Sequence, residues 1–191
     1  YRMDIWPADP EGGIRGEYRI GDAFARAATD ADPVVREAGV WGLGECLRRE
    51  AGGGGAGAAQ SGDSGDSGPE VPSHSRGAVA DALLDPAANV RIRAARALAG
   101  SPGAAVGAAG NLVKALDDAD SSVVVEVLAA IAAAGPAAGE AVPALRMILD
   151  GRRTGIDPWR ACEPLLAVTR GSADAQAVWT AMASSTQVYV R

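Results

Sequence analysis

One offset, 33 residues, recurs through the middle of this chain and restricts its architecture more than any other feature. Asp85 precedes Asp118 by 33, and the same step joins Val90 to Val123, Ala94 to Val127, Ala97 to Ala130 and Leu98 to Ile131. Ahead of each Asp, Val79, Leu112 and Leu145 fall in one register and Leu83, Leu116 and Leu149 in another. A period of this length marks stacked supersecondary units, each too small to bury its apolar face alone. A further copy lies upstream, where Asp30, Val35, Arg36, Gly39, Gly42 and Leu43 stand 55 residues before Asp85, Val90, Arg91, Ala94, Ala97 and Leu98. That spacing exceeds one period by 22, close to the length of the run AGGGGAGAAQSGDSGDSGPEVP at 51–72. The run is Gly/Ser-rich with three acids and no base, a composition that reads as a flexible insertion between units.

Within a unit the pattern predicts two helices. The first is short, as at 111–116 or 141–149, with apolar positions four apart. An Asp-bearing turn follows, suited to an N-cap. The second helix carries Val90, Ala94, Ala97 and Leu98 at i, i+4, i+7 and i+8, a helical stripe and not a strand alternation. Gly100 and Gly135 are expected to stop it, with Pro102 and Pro136 just beyond. Composition agrees: hydrophobic residues make up 48% but aromatics only 4%, so Ala, Val and Leu must close the core, which favours closely approaching helices.

The motifs DADPVVREAGVWGLG, DPAANVRIRAARALAG and DADSSVVVEVLAAIAAAG resemble the HEAT-repeat family, in particular the short bacterial-style units first described in bilin lyases. The third motif departs from the family pattern at Val124, where an Arg is usual. The resemblance implies an all-α, right-handed α–α superhelix of the ARM/HEAT type. Its expected organisation is an N-terminal extension at 1–20, a first repeat at 21–50, the insertion at 51–75, central repeats at 76–150 and a degenerate, incomplete end at 151–191. In that end, Trp159-Arg160 imitates Val-Arg, Pro164 sits where a helix should continue, Val178 and Met182 keep the 33-residue step, and the chain stops at Val190-Arg191. A stop there, and a start at Tyr1, suggest an excerpt of something longer.

The resemblance also implies a ladder, in which Asp30, Asp85 and Asp118 cap helices while Arg36 and Arg91 bridge to neighbouring units. Recurrence with the repeat argues against reading these pairs as catalytic. The acids Asp117, Asp118 and Asp120 lack the spacing and distant bidentate Glu of a calcium loop and read as a capped turn. Trp41 falls off the expected buried stripe of its helix (Val35, Gly39, Gly42, Leu43, Cys46), at the repeat position of Arg96 and Ala129. It is a candidate partner anchor, or packs on Ile5 and Trp6. Ala38, Arg93 and Glu126 share a second position, so the candidate partner-binding face comprises Trp41, Arg93, Arg96 and Glu126.

Other chemistry finds little support. The glycines at 53–55 lack a phosphate-loop context, and His74 and Ser75 lack that of a nucleophile elbow. Cys46 and Cys162 form no CxxC pair, and with a single His few zinc ligands exist. The formal charge is −6, and 76–150 hold eight acids against six bases, which disfavours a HEAT-like DNA glycosylase. No 18-residue apolar run is seen and no signal-peptide pattern. The expectation is therefore a non-catalytic binding or scaffold module, cytoplasmic, without cofactor or metal, and with no nucleic-acid or membrane partner. Its partner would be another protein or a neighbouring domain of the same chain. The alternative is an accessory HEAT domain of a larger enzyme, of the bilin-lyase or sulfatase-associated kind.

Overall fold

Turns built on aspartate punctuate the chain and set where its longer helices start. The computed structural model describes residues 15–53, 73–170, 172 and 180. Among these the secondary structure is helical, with no strand. The helices are α1 (Arg15–Ala27), α2 (Pro33–Gly53), α3 (Ser73–Asp81), α4 (Ala88–Ala99), α5 (Pro102–Gly107), α6 (Ala109–Ala115), α7 (Ser121–Ala134), α8 (Val142–Leu149) and α9 (Cys162–Val168). Short 3₁₀ turns at Ala82–Leu84, Gly135–Ala141 and Pro158–Ala161 connect some of them. In four turns an Asp Oδ1 accepts the backbone N–H two residues on: Asp30 from Asp32 (2.9 Å), Asp85 from Ala87 (2.8 Å), Asp118 from Asp120 (2.9 Å) and Asp157 from Trp159 (3.0 Å). Asp32 and Asp120 then cap α2 and α7 through the amides of Val34 and Ser122, both at 2.8 Å. Each bond satisfies a donor that a helix start would otherwise leave unpaired.

The helices α2, α4, α7 and α9 lie side by side in that order, and α1 packs on α2. Between them Leu43, Leu47, Leu83, Leu98, Leu112, Leu116, Ile131, Leu145 and Leu165 are fully buried. Each large aliphatic side chain removed from water in this way contributes about 1.5–3 kcal/mol. Small residues set the spacing. A Cβ on Gly44 of α2 would stand 2.7 Å from the Cβ of Ala97 in α4, so the two helices meet more closely there than any side chain on Gly44 allows.

Several details differ from the sequence expectation. α2 runs on through Gly53 and α3 starts at Ser73, with Ser75 buried, so both ends of the segment expected to be an insertion at 51–75 are helical. Val35, expected in the buried stripe, is 38% exposed, Cys46 is only half-buried, and Val40 and Leu47 are fully buried instead. At the far end the Asp turn returns at Asp157, which is 39 and not 33 residues after Asp118. The buried stripe of the following helix is Ala161, Leu165, Val168 and Thr169. By that stripe the Val-Arg position falls on Ala161-Cys162, two residues beyond Trp159-Arg160 and four after Asp157, one fewer than the Asp-to-Val spacing of the other units. Pro164 does not end that helix because it lies in its first turn, where no intrahelical donor is lost. Val178, Met182, Val190 and Arg191 lie outside the described residues, as do Ile5 and Trp6.

Gly100 closes α4 in the right-handed region, whereas Gly135 closes α7 with φ 57°. That bend divides 121–149, the one stretch among the described residues long and apolar enough to cross a membrane, into α7 and α8, and half of its most apolar window is buried inside the fold.

Candidate functional site

Two arginines bind the aspartate turns in the same way. Arg36 donates from Nε to Asp85 Oδ2 at 2.7 Å and from Nη2 to Asp85 Oδ1 at 3.0 Å, while its Nη1 reaches the carbonyls of Asp30 (3.0 Å) and Ala31 (2.9 Å) in its own turn. Arg91 repeats this on Asp118 (2.6 and 2.9 Å) and on the carbonyls of Asp85 (2.8 Å) and Pro86 (3.1 Å). One guanidinium thus fastens its own turn and the next one together. Planar forks of this kind suit Arg and not Lys. Burial acts to raise the Asp85 carboxyl pKa, but the Arg36 hydrogen bond, the Ala87 amide and the charges of Arg36 and Arg91 outweigh it and hold the group below the usual carboxylate range. Asp118 is lowered by the same balance, with Arg91, the Asp120 amide and Arg153 opposing burial.

Asp30 and Asp157 stand apart: each carboxylate accepts the amide two residues on, and no described guanidinium is bonded to either. In the third unit, where Val124 replaces the ladder arginine and is fully buried, Arg153 takes over the bonds to the turn's own carbonyls but makes none to the next turn Asp, Asp157. This residue sits in the loop after α8, which turns at Gly151 (φ 69°) and Gly155 (φ 81°), a backbone region that glycine adopts without strain. Arg153 Nη2 donates to the Asp118 carbonyl at 2.6 Å and Nη1 to that of Leu116, with Asp117 Oδ1 3.8 Å away. The Asp118 carbonyl is the one that an arginine at position 124 would take by analogy with Arg91 and Asp85. Nothing in the 33-residue pattern points to Arg153. The extra loop length and the missing arginine at 124 are its only sequence signals.

Of the four candidate partner-binding residues, Arg96 and Glu126 pair with each other, Arg93 pairs with Glu37, and Trp41 is in no ion pair. Arg93 Nε meets Glu37 Oε1 at 2.8 Å, joining α4 to α2, and Arg96 Nη2 meets Glu126 Oε1 at 2.8 Å, joining α4 to α7. The Glu126 hydrogen bond raises the Arg96 pKa above its ordinary value. Arg93, Arg96 and Glu126 therefore neutralise charge between helices instead of presenting a free charged groove. Trp41 lies on α2 between Glu37 and Gly44, both of which contact α4, and remains 52% exposed. It thus projects to solvent along the seam between the two helices.

The other clusters singled out by sequence are used locally. Asp118 is taken by Arg91, Asp120 caps α7, and no group of three or more potential metal ligands occurs among the described residues. Cys46 and Cys162 are half-buried on separate helices and not joined, and burial together with the Asp157 charge pushes the Cys162 thiol up, away from nucleophilic character. The His74 side chain lies outside the described residues. Compared with known protein families, curated proteins and solved structures, the chain finds no match in any of the three.

Proposed function

We propose that this chain is a HEAT-type repeat module, a right-handed α–α superhelix, that binds another protein or a neighbouring domain through the face of its second helices and performs no chemistry itself. The observation that carries the reading is Trp41, a large aromatic left half in solvent on a seam whose neighbouring charges are already paired. Exposed Trp residues framed by satisfied polar contacts are the usual energetic anchors of protein interfaces. The regular order α2, α4, α7, α9 supports the superhelix, because stacked helix pairs generate an extended, curved contact surface.

The test places a photo-crosslinking phenylalanine analogue at position 41 and, as control, at Met147, which is equally exposed on α8 at 52%. Discrete products are expected from position 41 alone, and Arg93→Ala should weaken them. Equal labelling at both positions would remove the assigned face. Circular dichroism on each variant keeps misfolding from being read as lost binding.

A further inference from the structure

The edge of α2 that points away from α4 is an uncompleted copy of contacts found twice elsewhere in the molecule. In the second and third units, the turn Asp receives a bidentate guanidinium from the unit before (Arg36 on Asp85, Arg91 on Asp118). The Val five residues on, Val90 or Val123, is fully buried, and the residue three further, Arg93 or Glu126, is half-buried against the preceding helix. In the first unit the same three places are Asp30 with no bonded guanidinium among the described residues, Val35 at 38% exposure, and exposed Ala38.

From this we infer that the Asp30–Val35–Ala38 edge is a docking surface for an α-helical hairpin of this chain's own repeat type that presents an arginine at the ladder position. The continuity with the α2–α4 and α4–α7 contacts specifies the occupant. Its guanidinium would take the Asp30 carboxylate as a fork, and its helix would cover Val35. Ala38 in place of a charged residue leaves no ion-pair partner to satisfy at the third place, so an apolar or small side chain suits the incoming helix there. A second copy of this chain stacked end to end is a poor occupant, because its last described second helix offers Cys162 where the ladder arginine belongs. The surface is separate from the Trp41 seam, and its test does not depend on that reading.

The experiment compares Asp30→Asn with Asp85→Asn in two backgrounds. In the chain as it stands, Asp85→Asn is expected to lower Tm by about 4–8 °C and Asp30→Asn by less than ~2 °C, since only the first strips a paired, partly buried guanidinium of its acceptor. In the second background, residues 1–14 are replaced by a second copy of residues 73–102, which sets the added arginine in the ladder register ahead of Asp30. There Asp30→Asn should cost as much as Asp85→Asn, Arg→Ala at the added ladder position should be equally costly, and the amides of Val35 and Arg36 should gain at least about tenfold exchange protection. Three outcomes overturn the inference. Asp30→Asn costing as much as Asp85→Asn in the unaltered chain means that the edge is already filled. An extended chain that gains no helical signal, or in which Asp30→Asn stays silent, means that the edge does not accept such a unit. Self-association of the unaltered chain abolished by Asp30→Asn names a second copy as the occupant instead.

Discussion

Removing Arg91 tests the ladder most directly. Its side chain is 16% exposed and that of Asp118 8%, so the pair sits between a surface ion pair and a fully buried one. Surface pairs contribute about 0.2–1 kcal/mol, whereas breaking a buried pair costs about 3–5 kcal/mol because the stranded charge stays desolvated. Arg91→Ala also frees the carbonyls of Asp85 and Pro86, although water can reach the second. In part compensation, Asp118 keeps its bond from the Asp120 amide. The expected loss is about 2–4 kcal/mol, or roughly 5–12 °C in Tm for a chain of this length. A double-mutant cycle with Asp118→Asn, followed by urea titration, should return a coupling of about 1–2 kcal/mol. Arg91→Lys should recover less than half of the loss, since an ammonium cannot form the fork. If the coupling falls below about 0.3 kcal/mol, or Arg91→Ala costs no more than the same change at exposed Lys114, the ladder does not hold the helices together.

The remaining predictions concern other joints of the same fold. Gly44→Ala should destabilise by about 1–3 kcal/mol through the clash with Ala97, and Ala97→Gly should recover part of that in the double variant, read by thermal denaturation. Arg153→Ala should cost about 1–3 kcal/mol by stranding the Leu116 and Asp118 carbonyls, and hydrogen exchange should locate the loosening at 116–121, so unchanged exchange there would refute the assigned contact. Asp85 and Asp118 have lowered folded-state pKa values, so the unfolded chain binds protons first. Their stabilisation is complete above the unfolded carboxylate value of about 3.9 and is lost as pH falls from there through the lowered folded values. Replacing both by Asn should flatten the acid limb of a Tm-versus-pH curve below about pH 4 and lower the plateau at pH 7.

What could be read in advance followed the logic of periodicity. Arg36, Arg91, Asp85 and Asp118 were visible as a set because a contact made between equivalent units leaves its residues at a constant offset. Arg153 was not, because it serves only one turn and no other unit repeats it. The displaced Val-Arg register near Trp159 has a related cause: a longer turn shifts every later residue while leaving local resemblances in place. Val35 shows a different limit. Its pattern marks the side of a helix that faces a neighbour, but pattern alone does not supply the neighbour. The Arg93, Arg96 and Glu126 pairings were hidden because they join non-equivalent positions on successive helices.

The turn at 117–120 is held from two directions, by Arg91 of α4 on the Asp118 carboxylate and by Arg153 of the later loop on the backbone. In the repeat array proposed above, whose parts would touch only their neighbours, opening would proceed inward from the ends, one interface at a time. A turn clamped by both flanks opens only after one of them has let go. Fraying from the α1 end must release Arg91 before it passes this point, and fraying from the α9 end must release Arg153. The centre of the chain thereby acts as a firebreak between its two halves, so that disorder begun at one end need not become unfolding at the other.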